Sequence, residues 1–486
     1  MTKPDAIDGL KPVLFWKCFA EISRIPRPSG HEERIAQFIL ERGKELGLET
    51  RQDACGNVLV KKPASSGREG APSICLQSHL DMVCEKNAGK VHDFMADPIE
   101  LVRNGNVVTA NGTTLGADNG AGVATSLAIM EDATLEHGPL EMLFTLEEET
   151  GLKGALNLSG DLVQSRIMLN LDSEDEGVVF IGCAGGKDTL ARWQLAYDSV
   201  GADLAPAEIT VKGLKGGHSG LEIDKELGNA IKILNRALMK LSGLGCRVSS
   251  IEGGNMRNAI PRECTAAVYL PNTKLDEAKS LVSSLNATFQ SELSSIDPGF
   301  VLAISQSASG SGKVLQLPLQ QKILMTIASL PTGVQHMSVD MPGLVETSTN
   351  VSVIHTTDKE VVLITSQRSS VASRLAEIVQ TVESILQLGG GTVEGSSGYP
   401  GWKPDMHSPI LGVAKRCYQS LFGKEVEVKA VHAGLECGII GERVPGMDMI
   451  SFGPSLHGVH SPDEVIYIDS VQRYWDFLLE ILRSVR

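Results

Sequence analysis

The chain has 486 residues and a formal charge of −15, with 44 Lys and Arg residues against 59 Asp and Glu residues. This length predicts two domains, or one domain that carries a large insertion. The acidic balance, with no basic cluster to offset it, predicts that the protein does not bind nucleic acid. No apolar run is long enough to predict a membrane span, and the first residues lack the basic start and apolar stretch of a secretory signal.

The nine cysteines indicate the redox environment of the protein. They are spread from Cys18 to Cys437, their number is odd, and no C-x-x-C pair occurs. This pattern argues against a disulfide framework and against a thiolate zinc site, and it is typical of a reducing compartment. We therefore expect a cytoplasmic protein without a membrane or nucleic-acid partner.

The first 185 residues alternate helix and strand signals. Ser29 and Glu32 have the spacing of a capping box, and Ile35, Phe38 and Ile39 follow at helical spacing. Short apolar runs bounded by Gly, Asp or Asn predict strands at 58–60, 74–76, 142–144, 167–171 and 178–181, and a helix is predicted at 121–130. Strands that alternate with helices predict an α/β sheet covered on both faces.

The pattern changes near Gly185, after which two similar sets of elements follow. The first set has a strand from residue 207, a Gly-rich turn, a helix at 227–238, two alternating segments that end at 265–270, and a helix at 275–293. The second set has a helix at 320–330, strands at 349–354 and 360–365, and a helix at 371–388. The shared outline predicts two related α+β units, that is, an internal duplication.

The Gly-rich stretch 389–398 is typical of a linker that returns to the first domain. It is followed by a helix at 409–422, strands at 426–430 and 449–451, and a closing amphipathic helix from Ser470. The simplest architecture is one α/β domain, residues 1–185 and 398–486, interrupted by an inserted domain of residues 186–397.

His79 and Asp81 stand at the end of the apolar strand predicted at 74–76. Residues i and i+2 of a strand share a face, so the Asp81 carboxylate can lie beside the His79 ring. A metal-ligating imidazole usually donates its second N–H to such a carboxylate, which fixes its tautomer. The same pair can also satisfy the polar end of a strand without any metal, so this motif alone does not decide between the two.

Four more segments carry acids or histidine in comparable positions. These are Asp118 before a helix, the acidic run 147–149 after a strand, Asp172 after another strand, and His460 near the C-terminus. Singly, such residues are also found in helix caps and solvated turns. Together they favour a metal site, because ligands of open α/β sheets bind at strand ends. Imidazole with carboxylate suits zinc, manganese or cobalt, and the lack of thiolates favours a catalytic site over a structural one.

The motifs around these residues resemble one known family. They read Ser-His-Leu-Asp-Met-Val at 78–83, Gly-Ala-Asp-Asn-Gly at 116–120, Glu-Glu-Thr-Gly at 148–151, Leu-Asp-Ser-Glu at 171–174 and His-Ser-Pro-Asp-Glu at 460–464. Over nearly its full length the chain is similar to the co-catalytic di-zinc peptidases, the family of carnosinases, bacterial carboxypeptidases and aminoacylases. The resemblance implies a three-layer α/β/α catalytic domain of the zinc-peptidase type, interrupted by an inserted α+β lid.

The resemblance also implies a role for each acid and histidine of the motifs. The implied metal ligands are His79, Asp118 and Asp172 for one ion, and Asp118, Glu149 and His460 for the other. Asp118 would bridge the two ions, Asp81 would support His79, and Glu148 would be the general base. Because Glu148 and Glu149 keep the family's spacing to Gly151, Glu147 is interpreted as a bystander.

The inserted lid would supply groups that the metal site lacks. In the family, a lid histidine stabilises the oxyanion, and His218 stands in its place within Gly-Gly-His-Ser-Gly. Asn258 and Arg368 match the residues that hold the free carboxylate of a dipeptide. His432 and Glu436 either line the pocket near the substrate's amino end or are core groups, and the sequence leaves both interpretations open.

The sequence therefore predicts a metallopeptidase that hydrolyses unblocked dipeptides with two divalent ions, most simply Zn²⁺, with Mn²⁺ or Co²⁺ as alternatives. The resemblance alone implies a preference for Xaa-His substrates, including β-alanyl-histidine. The alternatives are a related hydrolase of tripeptides or N-acyl amino acids, and a non-catalytic binding protein on the same fold. Lid domains of this family often form homodimers, although a doubled lid could take the place of the partner.

Overall fold

The computed structural model describes residues 6–307 and 309–486. Contacts between Cα atoms divide the chain into two compact units. The first unit is Met1–Cys183, Trp402–Ala430 and Leu435–Arg486, and the second is Ala184–Gly401 with Val431–Gly434. These boundaries lie a few residues from those predicted, and the short segment 431–434 was not expected in the second unit. The catalytic and lid functions of the two units stay predictions.

Helices and strands follow one another along the chain in three stretches. Up to residue 183 they are α1 (Val13–Ile22), α2 (Glu33–Glu45), β1 (Glu49–Gln52), β2 (Val58–Lys62), β3 (Ile74–His79), β4 (Leu101–Asn104), β5 (Val107–Ala110), α3 (Ala117–Glu131), β6 (Leu140–Thr145), α4 (Lys153–Leu156), β7 (Ile167–Asn170) and β8 (Val178–Cys183). Up to residue 395 they are β9 (Gly185–Gln194), β10 (Tyr197–Ser199), β11 (Leu204–Lys212), β12 (Gly217–His218), α5 (Ala230–Ser242), β13 (Arg247–Gly253), β14 (Ala259–Ile260), β15 (Cys264–Pro271), α6 (Leu275–Leu293), β16 (Val301–Gln306), β17 (Lys313–Leu315), α7 (Leu317–Ser329), β18 (Gly333–Met337), β19 (Val345–Thr356), β20 (Glu360–Ser369), α8 (Ala372–Leu388) and β21 (Thr392–Gly395). The remainder are α9 (Pro409–Phe422), β22 (Glu427–Val431), α10 (Glu436–Arg443), β23 (Asp448–Ser451), β24 (Leu456–His457), β25 (Val465–Tyr467) and α11 (Ile468–Ser484).

The first unit is built on a mixed sheet with the strand order β1-β2-β6-β3-β7-β23-β8-β22. Its centre is parallel, because β3 pairs with β6 and β7, and β7 pairs with β23. Every residue of β3 and β6 is buried, as expected for strands covered on both faces. Helix α3 packs on β3, and α9 packs on β23. The carboxyl ends of β3, β6 and β7 therefore meet at one edge of the sheet.

The main sheet of the second unit has the strand order β16-β11-β15-β13-β19-β20-β9-β21, and β18 pairs with β19 outside this order. The sheet has two halves of four strands, β16-β11-β15-β13 and β21-β9-β20-β19, each given from its outer edge inward. If the strands of each half are numbered by their order in the chain, both halves have the spatial order fourth, first, third, second. The two halves meet where β13 pairs with β19. The core of the unit includes Trp193, Leu234 and Phe289. The first strand of the second half, β9, precedes the whole first half in the chain. This equivalence of strand order supports the predicted duplication.

Two local predictions are wrong. Helix α2 begins at Glu33 without a side-chain cap, and the Ser29 hydroxyl donates instead to Asp81 Oδ2 at 2.8 Å, so the capping box does not form. The predicted linker 389–398 contains the strand β21, which pairs with β9 at the edge of the second sheet. Among the described residues, every helix is too short or too polar to cross a lipid bilayer.

Candidate metal centre

The parallel strands bring the first ligand candidates together. In the register of β3 and β7, Gln77 lies opposite Asn170, so the two chains leave the sheet side by side at His79 and Asp172. His79 Nε2 lies 3.3 Å from Asp172 Oδ1. On the other side of β3, His79 pairs with Thr145 of β6, and Glu148 and Glu149 lie in the turn that follows that strand. Three strand ends therefore place four of the predicted residues at one edge.

Asp118 lies between two imidazoles. Its Oδ1 is 3.1 Å from His79 Nε2, and its Oδ2 is 3.3 Å from His460 Nε2. The backbone at Asp118 is extended and not helical, so its side chain stands at the start of α3 and outside the helical surface. His460 Nε2 also lies 3.0 Å from Glu149 Oε2, and His460 has a positive φ of 63°. Each Asp118 oxygen therefore faces a different histidine.

Asp81 supports His79 from the side opposite to Asp118. Its Oδ1 is 3.3 Å from His79 Nδ1. The same carboxylate accepts hydrogen bonds from the backbone N–H groups of Glu148 at 3.0 Å and Glu149 at 3.2 Å. Burial alone would raise the pKa of Asp81, but the hydrogen bond and charge of His79 lower it to about 2. Asp81 therefore holds one histidine and the acidic turn in a fixed relation.

The electrostatics of the site favour cations. Burial raises the pKa of Glu148 well above its ordinary value, and burial also raises the pKa of Asp172. Burial would lower the pKa of His79, but the charge of Asp172 and the hydrogen bond to Asp118 raise it instead. Hydrogen bonds to Asp118 and Glu149 raise the pKa of His460 to about 11. Carboxylates gathered in a buried place destabilise one another unless positive charge is bound among them.

The donor atoms fit two divalent cations. His79, Asp118 and Asp172 form one group, and Asp118, Glu149 and His460 form another, with the ligand atoms of each group within 4.8 Å of one another. Each group offers imidazole nitrogen and carboxylate oxygen, the ligands of catalytic zinc. A third group, Cys18 with Glu21 and Glu131, does not fit a metal because Lys17 and Arg42 already pair with its carboxylates.

Glu148 and Glu147 differ in what their carboxylates contact. Glu148 groups with His79 and Glu149, again within 4.8 Å. The Glu147 carboxylate forms an ion pair with Lys153. Glu147 also has a positive φ of 47°, which turns the chain between β6 and the next residues. The structure thus separates the acid beside the candidate ligands from the acid that the sequence interprets as a bystander.

Sequence reasoning missed two buried charges beneath the centre. Glu464 accepts hydrogen bonds from the amides that lead up to Asp118, and Arg27 donates to the carbonyl oxygens of Leu80 and Asp81. Glu464 is 2% exposed and Arg27 is 3% exposed. Glu464 belongs to the motif His-Ser-Pro-Asp-Glu, which was its only signal in the sequence; Arg27 had none.

In the second unit, the geometry of His218 determines its tautomer. Nδ1 accepts hydrogen bonds from the amides of Gly220 at 3.2 Å and Leu221 at 2.9 Å. A neutral imidazole whose Nδ1 accepts must carry its proton on Nε2. Burial and the charge of Arg368 lower the pKa of His218, which keeps the ring neutral. His218 is therefore a hydrogen-bond donor through Nε2.

Asn258, Arg368 and His432 are the other predicted residues of the second unit. Asn258 is exposed, its carbonyl accepts from the Ser219 amide at 2.8 Å, and it lines with His218 a groove of about 710 Å³. Arg368 is 8% exposed, and its Nη1 donates to the Tyr399 hydroxyl at 3.0 Å. His432 Nε2 lies 2.8 Å from the Ser348 hydroxyl.

Glu436 belongs to the first unit and is fully buried. Its Oε2 accepts hydrogen bonds from Gln77 Nε2 at 2.6 Å and from the Thr145 hydroxyl at 2.7 Å. Burial raises its pKa to about 7. Oε1 has no hydrogen-bond partner among the described residues. Glu436 therefore lies beneath the strand ends that carry His79 and the acidic turn.

Comparison with known proteins identifies the family. The profile of Peptidase family M20/M25/M40 matches residues 75–484. The chain is 41% identical over 480 residues, which is 99% of each chain, to the cytosol non-specific dipeptidase of Escherichia coli (strain K12). It is similar to the crystal structure of aminoacylhistidine dipeptidase from Vibrio alginolyticus, with a TM-score of 0.92 and 40% identity over 99% of this chain and 98% of that one. A tripeptidase structure from Staphylococcus aureus shares the fold, with a TM-score of 0.57 and 17% identity over 98% and 99% of the two chains. The chain therefore belongs to peptidase family M20/M25/M40 and is a metallopeptidase.

Proposed function

We propose that the protein hydrolyses the peptide bond of unblocked dipeptides and that two divalent cations are required. The observation that carries this proposal is the position of Asp118, whose two oxygens face His79 and His460 within two overlapping donor groups. The names of the two full-length relatives, a non-specific dipeptidase and an aminoacylhistidine dipeptidase, support a dipeptide substrate.

The first cation would be held by His79, Asp118 and Asp172, and the second by Asp118, Glu149 and His460. When bound, the cations would supply Lewis acidity that activates a water molecule and polarises the scissile carbonyl. Asp81 would orient His79 at Nδ1, which lies 3.2 Å from the Asp81 carbonyl oxygen and 3.3 Å from its carboxylate. Zn²⁺ fits these ligands, and Mn²⁺ and Co²⁺ fit them as well.

Glu148 is the proposed general base. Its carboxylate lies near the candidate ligands but belongs to neither of the two donor groups that share Asp118. Burial raises its pKa, so it accepts a proton more readily than an exposed glutamate would. It would take the proton of the attacking water and deliver that proton to the nitrogen of the leaving amine, which balances the hydrolysis.

His218 is the proposed oxyanion donor. Two backbone amides occupy Nδ1, which leaves the Nε2 proton free to donate to a negatively charged oxygen. A neutral histidine can fill this role without giving up its proton, and its lowered pKa favours the neutral form.

Arg368 and Asn258 are the proposed ligands of the substrate's carboxylate. The guanidinium of Arg368 is largely buried, and its Nε has no partner among the described residues, so donor capacity is left for an anion. For the substrate's amino end we keep His432 and Glu436 as candidates. Because Glu436 is fully buried and bonded to Gln77 and Thr145, its effect there would be indirect.

We further propose cytoplasmic activity on a range of dipeptides that includes Xaa-His and β-alanyl-histidine. The related names differ in breadth, one being non-specific and the other referring to aminoacylhistidine, so a broad range is the simpler proposal. Hydrolysis of tripeptides or N-acyl amino acids, and binding without catalysis, are the alternatives that assays must exclude.

The test is an assay of β-alanyl-histidine, Xaa-His and Xaa-Leu dipeptides, a tripeptide and an N-acyl amino acid. The protein would be assayed as purified, after chelation, and after Zn²⁺ or Mn²⁺ is restored. Dipeptide turnover that disappears with the metal and returns with it supports the proposal. Turnover of only the tripeptide or the acylated substrate, or of none, would overturn it.

A further inference from the structure

The carboxylate of Glu464 is bonded to four consecutive backbone amides. Oε2 accepts from Leu115 at 2.7 Å and Gly116 at 3.0 Å, and Oε1 accepts from Ala117 at 2.7 Å and Asp118 at 3.3 Å. All four donors are main-chain groups, so the side chains of residues 115–118 take no part in these bonds. A buried carboxylate that accepts four consecutive backbone N–H groups fixes the backbone conformation of the segment that donates them, here residues 115–118.

The same turn is held from its carbonyl side by Arg27. The guanidinium donates to Gly116 O, and also to Leu80 O at 2.9 Å and Asp81 O at 3.0 Å. Gly116 has a φ of 70°, and a Cβ placed there would lie 2.7 Å from Arg27 Nη2 and 2.8 Å from Met82 Sδ. The turn that ends at Asp118 is therefore clamped by two buried charges of opposite sign.

Because of its position in the chain, Glu464 is connected more directly to one of the two donor groups than to the other. Glu464 follows His460 closely, so one carboxylate connects the segment that carries His460 to the turn that carries Asp118. These two residues belong to the same donor group. The other group shares Asp118, but its two further ligands are His79 at the end of β3 and Asp172 just after β7, and these two strands are held together by their own ladder.

We propose that Glu464 is a positioning residue that sets the separation of Asp118 and His460 and thereby the affinity for the second cation. The inference rests on the proposed di-metal function. Glutamine has nearly the shape of glutamate, but it replaces one acceptor oxygen with an N–H₂ donor that faces backbone N–H groups. Aspartate keeps the charge but is shorter by one methylene, so it cannot reach all four amides without a shift of the segment.

The experiment measures the binding of two equivalents of Zn²⁺ by competition with a chromophoric chelator, for the wild type, Glu464→Gln and Glu464→Asp. Glu141→Gln is the matched control, because Glu141 is also a buried carboxylate that accepts two backbone amides, at 3.0 and 2.8 Å, but at the opposite end of β6. We expect Glu464→Gln to lower the affinity for one equivalent of Zn²⁺ at least tenfold and the affinity for the other less than threefold. Glu464→Asp should have a smaller effect, and Glu141→Gln should have none.

Two further backgrounds assign the weakened equivalent. In Glu149→Gln, which lacks a ligand of the second cation, adding Glu464→Gln should leave the remaining affinity unchanged. In Asp172→Asn, which lacks a ligand of the first, it should lower the remaining affinity at least tenfold. Equal weakening of both equivalents, or no weakening in a folded Glu464→Gln protein, would overturn the inference. Failure of the wild type to bind two equivalents would instead reject the proposed di-metal function.

Discussion

The carboxylate of Asp81 lies 3.3 Å from Nδ1 of His79, on the side of the ring away from Nε2. This contact leaves Nε2 as the nitrogen that faces Asp118 and Asp172. Nδ1 also lies 3.2 Å from the carbonyl oxygen of Asp81. An imidazole whose Nδ1–H is held by such acceptors is a better metal ligand, because its tautomer is fixed and its basicity is raised.

Replacement of Asp81 should therefore lower metal affinity more than it lowers stability. We expect Asp81→Asn to weaken the binding of the first cation roughly 10–100-fold, since contacts of this kind have that magnitude. Titration with Zn²⁺ in a competing chelator measures the effect. Ser29→Ala is a milder comparison, because it removes only the hydroxyl that donates to Asp81 Oδ2. An unchanged affinity in Asp81→Asn would contradict the assigned role.

Glu148→Gln should abolish most of the turnover without removing the metal. General base catalysis contributes about 10²- to 10⁴-fold, so kcat should fall by at least about a hundredfold. Metal content, measured by plasma mass spectrometry, should stay at the wild-type level. Glu147→Gln is the matched control in the neighbouring position, because Glu147 pairs with Lys153. If both variants lose activity equally, Glu148 is not the specific base.

Arg368→Ala should distinguish free from blocked carboxylates. Loss of a buried guanidinium donor to a carboxylate costs about 3 kcal/mol, or roughly a hundredfold in kcat/KM for a dipeptide. A dipeptide amide, which lacks that charge, should lose much less. Arg374→Ala is the control, because Arg374 is exposed and pairs with Glu377 at 2.8 Å. An equal loss for the acid and the amide would argue against carboxylate binding by Arg368.

Gly220→Ala should disturb His218 through its neighbours. A Cβ at residue 220 would lie 2.3 Å from His432 O and 3.0 Å from His218 Cε1. The backbone must shift to relieve such a contact, at a cost of about 1–3 kcal/mol. We expect a lower melting temperature and a lower kcat. Gly70→Ala, where nothing lies within 4 Å of the added methyl group, should change neither.

His432 should make the protein less stable in mild acid. Burial and the charge of Arg368 lower its pKa from 6.5 to about 3, so the unfolded chain takes up a proton at a pH where the folded chain does not. Its contribution is complete above pH 6.5 and is lost as the pH falls toward 3. Between pH 7 and 5 the metal-free wild type should lose about 2 kcal/mol more than His432→Gln, measured by denaturant unfolding. Parallel losses in both proteins would contradict this.

The sequence predicts some helix bounds well because the signals are local. The helices α6 and α9 have the predicted bounds, and α9 begins with Pro409 after Ser408, whose hydroxyl caps Leu411 N. The strand β9 was missed because Lys187, Asp188 and Arg192 obscure its alternation of apolar and polar residues. Its strand conformation depends on pairing with β20, which is distant in the chain. Helix α10 was missed because it contains two glycines, which disfavour helix.

In the candidate site, too, the residues that the sequence predicts are those with a local signal. Each ligand candidate stands in a short motif that the sequence displays, and the structure brings those motifs to one edge of a sheet. Glu464 and Arg27 could not be assigned in this way, because their partners are main-chain groups of residues distant in the chain. A side chain that bonds to backbone groups does not require any particular residue type in its partner, so the sequence carries no pattern from which the contact can be predicted. The roles of all these residues stay proposals.

In the second unit, the whole first half of the sheet lies in the chain between β9 and the strands with which β9 pairs, and this order has a consequence for protein synthesis. Strand β9 leaves the ribosome before the whole first half, yet its partners β20 and β21 come after it, and Gly185 pairs with Ser369. A nascent chain that has not reached β20 therefore carries a strand with two open edges, which is a template for wrong pairing. The first half can close its own four strands meanwhile, since they are contiguous in the chain. We therefore expect the yield of folded enzyme to depend on how fast residues 195–360 are translated.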